Sequence, residues 1–194
     1  MRETLPTLIK FFTDDMRSPI GTSEPWEVGQ TVRVEGDIVP CENGLHCWPA
    51  ENVLQLTGPR MGIVTIGDEY VWHGEGNDLK LVAREMTLVR MVDEYNERTL
   101  RLFAADCAER VLPIYESRHP DDDRPKRAIE VARLFANGEA TREELDAARD
   151  AARAAAWGAA WGAARDAARA AARAAERGWR TQRLLTMLGL EVLP

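Results

Sequence analysis

Cysteine and histidine side chains are the residue types in this sequence with the most distinctive chemistry. Cys41, His46 and Cys47 lie close together, and His73 follows later. Thiolates and imidazoles are the ligands that structural zinc sites use. However, no C-x-x-C pair occurs, and neighbours on a strand such as His46 and Cys47 point to opposite faces. We therefore predict no metal site, with Cys41, His46 and Cys47 as weak candidates, and expect packed thiols and a hydrogen-bonded histidine.

Glutamates in the same half raise a second kind of chemistry. The turn Gly44-Leu45-His46, a short helix and a strand are loosely similar to a conserved segment of ADP-ribosyltransferase folds, which hold NAD in a split β-sheet. Those enzymes place a glutamate on a later strand, where Glu69 or Glu85 could stand, although no spacing selects either. Similarity of fold does not establish an activity. We therefore predict no catalytic residue and no cofactor, and keep an NAD-binding transferase as one alternative.

An arginine- and tryptophan-led repeat fills residues 149 to 176 as the tetrads RDAA, RAAA, WGAA, WGAA, RDAA, RAAA and RAAE. Trp157 and Trp161 are about one helical turn apart, and Arg153 and Arg165 flank them. Exposed tryptophan and arginine are typical of interface hot spots. We therefore predict that these four residues bind a protein partner. The alternative is that the tryptophans anchor a helical core where glycine makes room.

The geometry of the repeat argues against one continuous binding stripe. Four residues advance a helix by about 400°, so each leading residue lies about 40° beyond the previous one and the row winds around the axis. Glycine costs about 1 kcal/mol in a helix interior, and Gly158 and Gly162 both fall in this segment. We therefore predict a break between Trp157 and Gly162, with the paired alanines serving close helix packing. A continuous helix is the alternative.

Composition and charge limit the class of protein. The chain has 194 residues, a net charge of −7 and three cysteines. Residues 1–95 contain 8 basic and 16 acidic residues, whereas residues 96–194 contain 17 and 16. Because nonspecific nucleic-acid binding depends on neutralising phosphates, nucleic acid is an unfavoured partner for the acidic half. The odd cysteine number and the lack of a long apolar stretch favour a cytoplasmic protein that does not enter a membrane.

The elements that position these residues change character near Tyr95. In the first half, apolar runs and alternation predict strands over residues 8–12, 26–36 and 62–67, a turn at Asn43-Gly44 and a short helix after Pro49. Residues 79–92 predict one long or two short strands. We expect an α+β fold overall, with a β-rich domain at residues 1–95 and an all-helical, alanine-rich bundle at residues 96–194.

The second half has helical spacing from Asn96 onward. Apolar residues three or four apart predict a helix from about Glu97 to Glu116, with its apolar face formed by Leu100, Phe103, Cys107, Val111 and Ile114. A second helix begins with Pro125 in its first turn and ends at Asn137-Gly138. Thr141 and Glu144 form a capping box that starts the alanine-rich helix. Asp121, Asp122 and Asp123 favour a cap cluster paired with Arg124 or Arg127 over a cation site.

Two resemblances follow from these motifs. Residues 103–116 (FAADCAERVLPIYE) and 120–130 (PDDDRPKRAIE), followed by alanine-rich repeats and Trp179, resemble the helical immunity protein family (immunity family 5-like) over about residues 99–190. That resemblance implies an all-helical bundle among toxin-neutralising proteins. Trp26-Glu-Val-Gly29, residues 36–47 (GDIVPCENGLHC) and the strand at Lys80 resemble an uncharacterised domain common in bacteriophage and bacterial genomes over about residues 8–92.

The patterns and resemblances together predict a non-enzymatic interaction protein of phage or mobile-element origin. Its partner would be a toxin or a host defence protein, which it would bind and neutralise. An assembly protein that forms homo-oligomers through its alanine-lined helices is the first alternative, and an ADP-ribosyltransferase-like NAD-binding protein is the second.

Overall fold

The computed structural model describes residues 5–19, 24–159 and 167–190, and the side chains within them except those of residues 155–174. The described residues form two compact units. The sheet unit runs to Asn96 and also includes the segment that starts at Thr181, and the helical unit is Glu97–Arg180. An α+β architecture is thus confirmed, with a sheet followed by helices.

The sheet unit contains one antiparallel sheet of seven strands. In chain order, these are β1 Leu8–Phe12, β2 Thr31–Arg33, β3 Leu45–Pro49, β4 Arg60–Ile66, β5 Tyr70–His73, β6 Lys80–Ala83 and β7 Glu85–Met91. Their order across the sheet is β2-β7-β4-β1-β3-β6-β5. The predicted strands at residues 8–12 and 62–67 are therefore confirmed, and residues 79–92 form two strands. A 3₁₀ helix, Ala50–Gln55, follows Pro49 as the short predicted helix.

The central strand β1 is buried on both faces. Its neighbours β3 and β4 pair with it on either side, and all five of its residues are buried. One face joins a core cluster with Phe12, Trp26 and Cys47. On the other face, the Phe11 ring packs against Trp48 and Tyr95 at centroid distances of 5.6 and 5.7 Å. A charged residue, Lys10, lies in the middle of this buried strand.

Two parts of the sheet differ from expectation. The predicted strand over residues 26–36 is reduced to β2, Thr31–Arg33. A turn interrupts it, because Gln30 N–H donates to the carbonyl oxygen of Glu27 at 3.0 Å and Gly29 adopts φ +84°. Val28 is consequently exposed. Strand β5, Tyr70–His73, was not predicted, and it pairs with β6 at the sheet edge.

The helical unit begins with α1, Glu97–Glu116, whose predicted bounds are confirmed. The next helix, α2, is Arg124–Ala136, and it ends before Gly138 at φ +78° as expected. Helix α3, Arg142–Ala159, follows the predicted capping box. In that box, Thr141 N–H donates to Glu144 Oε2 at 2.7 Å and Glu144 N–H donates to Thr141 Oγ1 at 3.2 Å. The last helix, α4, is Ala167–Met187.

The buried face of α1 agrees only in part with the predicted one. Phe103 is buried and Leu100 and Cys107 are half-buried as expected, whereas Val111 and Ile114 are 40% and 62% exposed. Ala105 and Asp106 are buried in addition. The cause is that α1 packs on α2, and an ion pair lies at that contact, where Arg133 Nη2 of α2 is 2.6 Å from Asp106 Oδ1. The predicted break between Trp157 and Gly162 falls largely on residues 160–166, outside the described residues.

Candidate functional site

An apolar groove crosses the helical unit. Helix α2 packs against both α1 and α3, and side chains of all three helices line a cavity of about 380 Å³. Ala104 and Ala108 of α1, Ile129 of α2 and Ala152 of α3 are among them. Because alanine is so common in the lining, the groove keeps room for the larger apolar side chains of a partner.

Two arginines form the charged part of the groove lining. Arg101 and Arg149 belong to its lining, and the Arg101 guanidinium lies 4.6 Å from the centroid of the Phe135 ring. The Arg149 guanidinium lies 3.9 Å from the Asp146 carboxylate. Arg101 is also ion-paired with Glu97, and its side chain is only 11% exposed. The Arg149 side chain is 46% exposed and can meet an acidic group of a partner.

The aspartate cluster orders the loop between α1 and α2. Asp122 accepts hydrogen bonds from Tyr115 Oη at 2.5 Å and Arg124 Nε at 2.7 Å. These hydrogen bonds, that of Arg124 foremost, lower the pKa of Asp122. The predicted pairing with Arg124 is confirmed, although Asp123 makes no side-chain hydrogen bond to cap α2. Tyr115 also lines the groove, so this network fixes one of its walls.

The predicted partner-binding residues are described only in part. The Arg153 side chain is 81% exposed on α3 and lies 3.5 Å from Asp150. Trp157 belongs to α3, but its side chain is outside the described part of the structure, as are Trp161 and Arg165 entirely. Arg153 is the residue after Ala152, which lines the groove. It therefore lies on α3 next to the groove.

The cysteine and histidine candidates lie on both faces of the sheet. Cys47 is fully buried in the core cluster, and burial raises the pKa of its thiol to about 12. Cys41 is exposed in the turn before β3. Its thiol lies 4.0 Å from His73 Nε2, and Lys80 Nζ donates to it at 3.3 Å. The structure therefore separates Cys47 from Cys41 and brings Cys41, His73 and Lys80 together.

The His46 ring is neutral and holds the backbone of Cys41. Its ring Nε2 accepts a hydrogen bond from the Cys41 backbone N–H at 3.1 Å, which requires an unprotonated nitrogen. Burial, followed by the positive charges of Lys80 and Lys10, lowers the pKa of His46. That nitrogen is thus occupied. Among the residues that the structure describes, no three or more His, Cys, Asp or Glu side chains are grouped to hold a metal.

A buried lysine, Lys10, could not be recognised as a special residue from the sequence, because it stands within an apolar run. Lys10 Nζ donates to the His46 carbonyl oxygen at 3.0 Å and lies 5.2 Å from the Trp26 ring centroid. Burial lowers the pKa of Lys10 from 10.5 to about 8, and the neighbouring Cys47 opposes that shift. The apolar residues on both sides of Lys10 are typical of a strand buried on both faces, and they were the available indication that Lys10 is buried.

The two glutamates considered for NAD chemistry are ion-paired on the sheet. Glu69 Oε2 lies 2.8 Å from Arg84 Nε, and Glu85 Oε2 lies 3.3 Å from Arg33 Nη1. All four residues line one small polar cleft with Gly67 and Asp68. Each carboxylate therefore has a structural partner in the sheet unit.

Comparison with known proteins places a different family on each half. Residues 90–180 match the family described as Imm-5 like putative immunity protein, and residues 7–97 match the family described as Domain of unknown function (DUF7666). Both resemblances predicted from the sequence motifs are thereby confirmed. No curated protein and no solved structure matches the chain. No helix in the described part of the chain is long and apolar enough to cross a membrane.

Proposed function

We propose that the chain is a non-enzymatic immunity-type protein that binds a toxin polypeptide and neutralises it. The match of residues 90–180 to immunity proteins carries this proposal, because such proteins generally act by binding and not by catalysis. We further propose that a phage or mobile element encodes the chain, that it acts in the host cytoplasm, and that its two domains meet near Tyr95.

The groove of α1, α2 and α3 is the surface that this function would use. It lies within the matched residues, and its lining combines alanines with Val111, which is 40% exposed. An apolar segment of the toxin would enter the groove, in the manner of a helix laid in a hydrophobic groove. Acidic toxin residues beside that segment would meet the half-exposed Arg149. The predicted Arg153, Trp157, Trp161 and Arg165 would extend the contact along the alanine-rich segment.

The proposal is tested with the purified proteins encoded by the genes adjacent to the one for this chain, as candidate toxins. Ala108→Arg places a long charged side chain in the groove at an exposed α1 position, and it should weaken toxin binding by about tenfold or more. Ala147→Arg is the matched control, because Ala147 is exposed on α3 and is not part of the groove lining. Calorimetric titration and survival of cells that co-express the toxin are the two measurements.

The following results would contradict either the proposed immunity function or the proposed binding surface. Absence of binding and of protection by the wild type would overturn the immunity function. Equal affinities of Ala108→Arg and Ala147→Arg for the toxin would show that the interface does not include the groove. A loss of affinity only in the double variant Trp157→Ala, Trp161→Ala would place the interface on the segment that carries Arg153, Trp157, Trp161 and Arg165. Self-association without toxin binding would support the assembly alternative.

A further inference from the structure

A cluster of titratable side chains around Cys41 takes no part in the proposed toxin interface. Cys41 lies in the turn before β3, His73 at the end of β5 and Lys80 at the start of β6. The register of the sheet explains why the last two meet, because His73 and Lys80 are direct cross-strand partners. His46 is paired with Val82 on the neighbouring strand, two residues from Lys80 and hence on the same face of the sheet.

The turn that carries Cys41 is held against this face. Gly44 sits so close to Val82 that an added Cβ would lie 2.3 Å from Val82 Cγ1. Asn43 Nδ2 donates to the carbonyl oxygens of Glu35 and Asp37, both at 2.8 Å. Cys41 itself adopts φ +69°, a conformation that non-glycine residues rarely adopt, and its N–H is fixed by the His46 ring. The thiol is therefore presented in a defined position, and it is exposed to solvent.

Two basic side chains lie beside the sulfur of Cys41. Lys80 Nζ is 3.3 Å from Cys41 Sγ and His73 Nε2 is 4.0 Å from it. An ammonium group near a thiol stabilises the thiolate, which is the nucleophile in thiol chemistry. The other two cysteines differ, because Cys47 is buried and Cys107 is half-buried.

We propose that Cys41 is a site of thiol–disulfide exchange, which forms a mixed disulfide with small disulfides that carry carboxylates. The Cys41 thiolate attacks one sulfur of the disulfide, so a new S–S bond forms as the original S–S bond breaks. The second half of the reagent leaves as a thiolate and takes up the proton that Cys41 has lost. No external oxidant is needed, because the reagent disulfide is reduced as Cys41 is oxidised. Lys80 donates a hydrogen bond to the attacking sulfur and attracts the reagent carboxylates, and His73 Nε2 lies 4.0 Å from the sulfur.

The test is the rate at which the full-length protein reacts with 5,5′-dithiobis(2-nitrobenzoate), an anionic aromatic disulfide, and with cystamine, a cationic one. Peptide mass spectrometry assigns the modified residue. We expect Cys41 to react first and the anionic reagent to be favoured. Lys80→Met should slow the anionic reaction by about threefold, because it removes the positive charge that attracts the reagent carboxylates. Lys80→Arg should retain the wild-type rate, and Lys126→Met, an exposed lysine of the helical unit, should have no effect.

Circular dichroism of each variant identifies any change that comes from misfolding, and the ionic-strength dependence of the rate gives a second readout within the wild type alone. Raising the salt concentration should slow the anionic reaction and not the cationic one. The proposal is overturned if Cys41 in the native chain reacts no faster than in the denatured chain. It is also overturned if folded Lys80→Met keeps the wild-type rate and reagent preference.

Discussion

Replacing Lys10 with methionine should stabilise the sheet unit at neutral pH and remove one component of its pH dependence. The Lys10 side chain is 3% exposed, with a hydrogen bond to His46 O and the Trp26 ring near its ammonium. Its pKa is nevertheless lowered by burial from 10.5 to about 8. The environment of the folded state therefore disfavours the charged form, in spite of both contacts.

The size of this effect follows from the pKa. One pKa unit corresponds to about 1.4 kcal/mol, so a lowering from 10.5 to about 8 corresponds to about 3 kcal/mol. Methionine has a similar length and no charge, but it loses the hydrogen bond to His46 O and the cation–π contact, together about 1 to 3 kcal/mol. We therefore expect the free energy of unfolding of Lys10→Met to exceed that of the wild type by about 0 to 2 kcal/mol at pH 7.

The pH dependence gives a sharper comparison. A lysine with a lowered pKa in the folded state binds fewer protons there than in the unfolded state, so stability rises with pH between about 8 and 10.5. From pH 7 to pH 9, Lys10 should add about 1 kcal/mol to the wild type and nothing to Lys10→Met. Above pH 9, the unfolded Cys47 thiol ionises while the folded one, with a pKa raised to about 12, does not, which lowers stability.

The assay is urea unfolding at pH 7, 8 and 9, with hydrogen exchange of the β1 amides to report on the sheet unit separately. Lys126→Met is the control, because Lys126 is exposed on α2 and its removal should change neither the stability nor its slope with pH. Equal pH slopes for wild type and Lys10→Met, or a lower stability of Lys10→Met at pH 7, would refute the assignment of a strained buried ammonium.

Three further substitutions test other parts of the fold. Asp106→Asn should lower the free energy of unfolding of the helical unit by about 2 kcal/mol, because it removes the charged partner 2.6 Å from Arg133; an unchanged urea midpoint would contradict this. Thr141→Ala should lower it by about 1 kcal/mol through loss of the α3 cap, seen as faster amide exchange in the first turn of α3 and not in α1. Gly44→Ala should lower the stability of the sheet unit by about 2 kcal/mol or more, because φ is +144° and the new methyl would meet Val82 at 2.3 Å. A urea midpoint equal to that of the wild type would refute that close approach.

Elements with strong local patterns could be predicted from the sequence. The bounds of α1 and the capping box of α3 follow from apolar spacing and from a pair of side chains three residues apart, so they need no knowledge of the rest of the chain. Strand β1 follows in the same way from its apolar run. Strand β5 is different, because it is an edge strand with mostly exposed residues and lacks the alternation that a half-buried strand shows.

The candidate sites depend on partners that are distant in the sequence. Cys41 and Lys80 are 39 residues apart, and only the register of β5, β6 and β3 brings them together. Likewise, the apolar spacing of α1 predicted Phe103, Val111 and Ile114 on one buried face, but only Phe103 of these three is buried where α1 and α2 pack. Spacing shows that a helix has an apolar side, whereas its packing partners determine how much of that side is covered.

The division of α4 between the two units has a consequence for how such a protein can be recombined. The chain leaves the sheet unit after Asn96 and rejoins it at Thr181, partway along α4, where Leu184, Leu185 and Leu188 are buried. The helical unit is thus an insertion with two junctions, and the family match also ends at residue 180. A gene exchange that preserves both junctions replaces the helical unit alone, whereas a single crossover near residue 96 also replaces the leucines that complete the sheet unit.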